Sequence, residues 1–280
     1  MEYKFSVLMS IYYKEKPEYF KKSMESILNQ ELKPNEIILV EDGPLPKELN
    51  IEIEEFVKKN KKIKIIKLEK NMGLGEALKI GVLNCSNEFI ARMDTDDIAK
   101  PSRFKKQIKI FESNPEIDIT GSVIEEFEEI NGEISILGIR KVPETDEKIK
   151  KKLKLSNAFN HPTVMFRKSK VLKAGNYNEE FNKLEDYYLW VRMALNNCNF
   201  YNIQESLLYF RVTENTSKRR SGIKMFLGDL GLHSYFFKNG FINHIEYLRN
   251  IFIWGSYRFL PCKFVNSTKN IFRKIIDKKN

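Results

Sequence analysis

Cysteine is scarce: Cys85, Cys198 and Cys262 are the only three in 280 residues. Their number is odd and no two stand at a C-x-x-C spacing. That argues against a disulfide scaffold or thiolate zinc site, and leaves buried free thiols in a reducing compartment as the expectation. No stretch approaches the roughly 18 consecutive apolar residues of a membrane span. The opening residues MEYKFSVLMSIYYKE read as a first core strand rather than a secretory leader, so the chain is expected in the cytoplasm. Internal repeats and low-complexity segments are missing, which sets aside solenoids and linker arrays. Negative excess is missing as well, since 48 Lys and Arg face 38 Asp and Glu for a net charge of +10. A basic chain suits an anionic partner, whether nucleic acid, a phosphate-rich substrate or anionic lipid, and does not choose among them.

What is present is a rhythm. Phe5–Ile11, Ile37–Val40, Ile63–Leu68 and Phe89–Met93 are apolar runs of strand length. Between them lie helical patterns: Phe20, Met24, Ile27 and Leu28 after Pro17, then Leu49 to Val57, then Leu74, Ala77, Leu78, Gly81 and Val82. Strands alternating with helices imply right-handed βαβ units and a parallel sheet covered on both faces. Beyond Pro101 the alternation weakens. A helix carries Phe104, Ile108 and Phe111, a strand covers Ile117–Phe127, and Asn131-Gly132 signals a hairpin returning through Glu133–Leu137. A charged helix over about 145–155, a strand over Thr163–Phe166, an amphipathic helix over Leu184–Leu195 and a last strand over Leu207–Val212 follow. The expected fold class is α/β, with a Rossmann-like, mainly parallel central sheet flanked by helices. Residues 1–100 form a nucleotide-type half and residues 101–215 a mixed half, packed as one continuous domain; residues 216–280 form a helical, basic and aromatic extension.

In an open α/β sheet, ligands bind beyond the carboxyl ends of the strands. Polar and acidic residues gather at those ends: Ser10, Tyr12 and Tyr13 after the first strand, Glu41 and Asp42 after the second, Asp94, Asp96 and Asp97 after the fourth. The Asp-x-Asp has three readings. It can be a solvated turn with an N-capping Asp. It can bring Mg²⁺ or Mn²⁺ to a diphosphate, because these ions take oxygen ligands and share them with substrate phosphates. It can be a phosphatase-type D-x-D-x-T with a nucleophilic Asp, although Ile98 stands at the fifth position and four strands precede it.

The order SVLMSIYYKEKPEYFKKSMESILNQ, EIILVEDGP, NMGLGEALKIG, MDTDDIAKPSRFKKQ, HPTVMFRKS and LEDYYLWVRMA resembles family 2 glycosyltransferases of the GT-A fold. The likeness covers about residues 3 to 215 and looks nearest to bacterial capsular and exopolysaccharide transferases, amylovoran-type enzymes among them. The resemblance implies that Ser10 and Tyr12 hold the nucleotide, that Asp42 bonds the base edge, and that Asn71 and Gly73 open a helix beside it. It implies that Asp94 turns to the ribose, that Asp96 with Asp94 holds Mn²⁺ or Mg²⁺ against the diphosphate of an NDP-sugar (a UDP-sugar first), and that Asp186 is the base. Ser10 departs from the family's usual Pro at the first strand end. The QxxRW motif of processive synthases is absent after Asp186, so one sugar per acceptor is expected.

The borrowed roles suit the chemistry. A bound divalent cation neutralises the departing diphosphate, and a carboxylate takes the acceptor's proton, typically giving about 10²–10⁴-fold. Attack from the opposite side inverts the anomeric centre. Other residues stay open. Glu185 is an acceptor contact or a metal ligand, and it and Asp186 also suit a helix N-terminus. His161 is a structural residue, an acceptor contact or a metal ligand; Trp190, beside Tyr187-Tyr188, is an acceptor platform or core. Arg219-Arg220 either close over the diphosphate or form a solvated loop. In residues 241–280, eight Lys and Arg face Glu246 and Asp277, which is +6 of the chain's +10, with aromatics interleaved. Such a segment suits an anionic membrane surface. No RNP-like or zinc-finger motif points to nucleic acid. The expected protein is therefore a transferase peripheral to the inner face of the plasma membrane, using a lipid-diphosphate-linked saccharide as acceptor. The rivals are a sugar-nucleotide nucleotidyltransferase, whose glycine-rich loop after strand one is absent, and a non-catalytic membrane adaptor.

Overall fold

The computed structural model describes residues 3–130, 132–181, 183–213 and 222–259. Strands β1 (Phe5–Ile11), β2 (Glu36–Glu41), β3 (Ile63–Lys67) and β4 (Phe89–Asp94) pair in parallel in the order β3-β2-β1-β4. Helices α1 (Pro17–Leu28), α2 (Lys47–Lys59) and α3 (Leu74–Asn84) connect them. β1 and β2 are buried on both faces because both faces are covered. Val7, Met9 and Ile11 enter one core layer with Phe20, Met24 and Ile27 of α1. Leu8 enters the other with Ala77, Leu78 and Val82 of α3.

The second half completes the same sheet. After β5 (Ile98–Ala99), α4 (Arg103–Ser113) packs Phe104, Ile108 and Phe111 into the first layer. β6 (Ile119–Ile130) and β7 (Glu133–Arg140) form the expected hairpin. Then come α5 (Asp146–Leu153), a 3₁₀ turn (His161–Thr163), β8 (Met165–Arg167), α6 (Lys168–Lys173) and a second 3₁₀ turn (Glu179–Phe181). α7 (Glu185–Leu195) and β9 (Phe200–Arg211) follow. The strand order continues β4-β8-β6-β9-β5, with β8 antiparallel to both neighbours. Helices α8 (Ile223–Lys238) and α9 (His244–Phe259) pack on each other and add Leu232 and Phe236 of α8, and Ile242 from the turn between them, to the second layer.

Several boundaries differ from expectation. The strand expected at Thr163 starts at Met165, because Pro162 opens a 3₁₀ turn instead. The last strand starts at Phe200 rather than Leu207, its polar first part pairing in parallel with Ile119–Ser122. α7 is buried on nearly every side rather than amphipathic: Tyr187 packs on His233 and Phe236 of α8. Arg219-Arg220 and the tail from 260 onward lie outside the described residues. Cys85 and Cys198 are free and buried. Burial pushes the Cys85 thiol up to about 12 and Cys198 up to about 11, which keeps both protonated and unreactive. Cys262 lies outside the described residues. No described helix is long and apolar enough to cross a membrane.

Candidate active site

Four strand ends meet along one edge. Ser10 lies in register with Val40 on one side and Asp94 on the other. Tyr12 and Tyr13 follow at once, their rings edge to face at 5.7 Å. Asp42 is buried just past β2, and its carboxylate takes the Met72 N–H at 2.6 Å, the Gly73 N–H at 3.0 Å and the Asn71 amide at 3.0 Å. Asp42 thus shapes the Asn71–Gly73 turn that opens α3. Gly43 lets the two segments touch. Its φ is +88°, and a Cβ there would sit 2.5 Å from the Asn71 backbone nitrogen.

The carboxylates of Asp94, Asp96 and Asp97 offer oxygens that all lie within 4.8 Å of one another. Burial and then the Asp94 charge push Asp96 up to about 7. Burial, followed by Asp96 and Asp94, pushes Asp97 well above the carboxylate range. Glu15, from the loop after β1, faces the same cluster. Burial first, and Asp94 among the smaller causes, raises its carboxyl, although the Thr95 hydroxyl donates to it at 2.6 Å. Asp97 Oδ1 accepts the Arg211 N–H at 2.9 Å, while Oδ2 is buried with no hydrogen-bond partner among the described residues. A hard, all-oxygen donor set with an unsatisfied buried oxygen and mutually raised acids fits Mg²⁺ or Mn²⁺.

Two arginines frame this cluster, and neither stood out in the sequence. Arg92 is 2% exposed and donates both terminal nitrogens to Asp94. Desolvation would lower its pKa, but Asp94, Tyr177 and Asp97 together raise it. Arg211 of β9 donates Nε to the Asp96 carbonyl at 2.9 Å and Nη1 to Glu129 at 3.0 Å, with its guanidinium 3.9 Å from the Tyr19 ring centre. It ties the Asp loop to strands β6 and β9.

The second acid site opens α7. Asp186 Oδ2 accepts the Asn157 amide at 2.6 Å, and Oδ1 accepts the Tyr187 N–H at 2.7 Å. His161 Nδ1 stands 3.9 Å from Asp186 Oδ2, and its Nε2 is 2.9 Å from the Tyr177 hydroxyl. Burial, then Arg92, holds His161 well below its ordinary pKa, so the ring is neutral. Trp190 is 0% exposed and packs on Phe159, His161 and Tyr177. The acceptor-platform reading of Trp190 is corrected here: it is core beneath His161, because α7 is covered on its far side. The two acid sites are ninety residues apart in sequence, yet they converge. The Tyr177 phenol, raised chiefly by burial, feels Arg92, Asp186, Glu185 and Asp94 together.

Glu185 lies 9% exposed over α3, its Cβ near Gly75. Burial and the adjacent Asp186 push its carboxyl from 4.5 up to about 7. The native state keeps a proton that the unfolded chain has already released. Its contribution to stability is therefore present below about 4.5 and is lost as pH rises to about 7. Glu185→Gln should match wild type in acid and exceed it by about 1–3 kcal/mol at pH 8. Urea midpoints across that range check this; a gap that does not widen with pH refutes it.

The profile of the family described as Glycosyl transferase family 2 matches residues 6–175, more than half of the chain. The chain belongs to glycosyl transferase family 2. As a family 2 member it is a glycosyltransferase, and Asp186 lies beyond the matched segment. Among curated proteins it is 36% identical over 273 residues to a UDP-Gal:alpha-D-GlcNAc-diphosphoundecaprenol beta-1,3-galactosyltransferase of Escherichia coli, covering 98% of this chain and 96% of that one. It is 38% identical over 218 residues to an amylovoran biosynthesis glycosyltransferase of Erwinia amylovora, covering 78% and 80%. Among solved structures, S. aureus TarS 1-349 in complex with UDP-GlcNAc superposes with a TM-score of 0.65 at 20% identity over 96% of this chain and 75% of that one. A Pyrobaculum calidifontis mannosyltransferase with GDP-Man and Mn²⁺ gives 0.63 at 10% identity over 99% and 76%. These likenesses establish the GT-A fold.

Proposed function

We propose that this glycosyltransferase moves one sugar, with inversion, from a UDP-sugar to a saccharide linked to a lipid diphosphate, in building a cell-surface polysaccharide. The observation that carries the reading is the convergence of the Asp94–Asp97 cluster and Asp186 around Arg92 and Tyr177. Support for the substrates comes from the E. coli relative, which acts from UDP-Gal on a diphosphoundecaprenol-linked sugar and matches almost end to end. UDP-Gal is the first donor to try.

The roles divide between the two acid sites. Ser10, Tyr12 and the Asn71–Gly73 turn cradle the nucleotide, with Asp42 holding the turn. Asp96 and Asp94, with Asp97 beside them, hold Mn²⁺ or Mg²⁺. That ion supplies charge neutralisation for the departing diphosphate. Arg92 pairs with Asp94 and aims it. Asp186, fixed by Asn157, takes the proton from the acceptor hydroxyl as it attacks. The acceptor's lipid places the reaction at a membrane, and the basic C-terminal segment is the part suited to an anionic inner leaflet.

Thermal unfolding with a panel of nucleotides and nucleotide sugars, with and without Mn²⁺ and Mg²⁺, tests the donor half. UDP or a UDP-sugar should stabilise wild type only with metal, by about 2–3 kcal/mol at a hundredfold excess over Kd. Asp96→Ala should lose that response. A folded wild type that responds to no nucleotide in either metal would overturn the assignment.

A further inference from the structure

Helix α9 has two faces of opposite character. Ile245, Leu248 and Phe252 recur at spacings of three and four, so they form one stripe. They are 79%, 57% and 76% exposed, large apolar side chains left bare on a single helix side. Asn250, Trp254 and Arg258 recur at spacings of four on the opposite side. Those residues face the protein. The Asn250 amide donates to the Lys154 carbonyl at 2.6 Å, the Trp254 indole donates to the Leu155 carbonyl at 3.0 Å, and Arg258 pairs with buried Asp229 at 2.7 Å. Lys154 and Leu155 lead straight to Asn157, whose amide holds Asp186.

We propose that the outer stripe of α9 docks on an anionic lipid surface, setting the acceptor end of the site one helix away from the headgroups. The inference rests on the lipid-linked acceptor argued above and names the surface that meets the lipid. The occupant follows from charge. Residues 260–280, which follow α9 in the chain, carry Lys263, Lys269, Arg273, Lys274, Lys278 and Lys279 against Asp277. A second copy on the stripe would bring two such basic segments together; an anionic bilayer neutralises them while taking up the three apolar side chains. A helix is about 10 Å across. That diameter separates the stripe from the carbonyls that position the Asn157 loop, within reach of a sugar on a diphosphate at the headgroup level.

The test uses the full chain and the variant Ile245→Ser/Leu248→Ser/Phe252→Ser. All three side chains are exposed, so the variant should keep the wild-type Tm. Wild type should sediment with phosphatidylcholine vesicles containing phosphatidylglycerol and much less with phosphatidylcholine alone. The variant should bind the anionic vesicles at least about tenfold more weakly. Its transfer to a water-soluble short-chain acceptor should be unchanged, and its transfer to a vesicle-embedded lipid-diphosphate saccharide should fall by about the same factor as binding. Undiminished vesicle binding by a folded variant overturns the inference, as does a wild-type dimer that the substitutions dissociate, or indifference to phosphatidylglycerol. The two readings fail separately. Lost vesicle binding beside a wild type inactive on both acceptors would refute the substrate proposal and leave the docking face standing.

Discussion

Asp186→Asn is expected to slow sugar transfer by about 10²–10⁴-fold while the donor binds with unchanged Kd. The substitution keeps the shape of the side chain. It removes the lone pair that takes the acceptor's proton, and it replaces one of two acceptor oxygens, since Oδ2 serves Asn157 and Oδ1 serves the Tyr187 N–H. The effect should fall on kcat with little change in the donor's KM if, as proposed, Asp186 faces the acceptor and the donor's contacts lie on the strand ends. Single-turnover rates together with calorimetric UDP binding measure both quantities. A matching loss of donor affinity would remove Asp186 from the acceptor side.

Arg92→Met is the second large effect. Arg92 is buried and pairs both terminal nitrogens with Asp94, whose side chain is 29% exposed. Breaking a buried pair by removing one member costs about 3–5 kcal/mol, and the partial exposure of Asp94 brings the expectation to about 2–4 kcal/mol. The orphaned Asp94 would then face Asp96 and Asp97, with acceptor atoms within 4.8 Å, without the guanidinium of Arg92. Protonation relieves that repulsion. The loss should therefore be greatest at pH 8 and smaller at pH 5, below the value of about 7 to which Asp96 is raised. Mn²⁺ should restore part of it. Chemical unfolding at the two pH values, with and without Mn²⁺, decides the matter; an identical loss in all four conditions would mean that Arg92 acts through packing alone.

The difference between these residues shows what a sequence discloses. β1 and β2 were legible because parallel strands covered on both faces are written as unbroken apolar runs, as in FSVLMSI and IILV. The acids were legible as residue types at strand and helix ends. Arg92 was not: an arginine inside FIARMD looks like a solvated position until Tyr177 and His161 arrive from far along the chain. The first part of β9 was hidden for a similar reason. Its Asn202 is polar and fully buried, and its amide caps the carbonyls of Pro143 and Ala158. Trp190 misled through its neighbours, because only Phe159, His161, Phe166 and Tyr177, folded around it, show that it is core. Asp42 was found by position, while its three donors from the Asn71–Gly73 turn come from tertiary packing.

One interior layer gathers Leu8 and Ile38 from the first strands, Trp190 from α7, and Phe236 and Ile242 from the C-terminal hairpin. The strands that lead to Ser10 and Asp42 and the helix that carries Asp186 thus share one hydrophobic layer. Exchanging one half of the chain for another would therefore have to re-fit that common interior. Freedom to vary lies in the exposed positions that rim the strand ends, such as residues 13–14 and 178–180, where substitutions change what is held without changing what holds it.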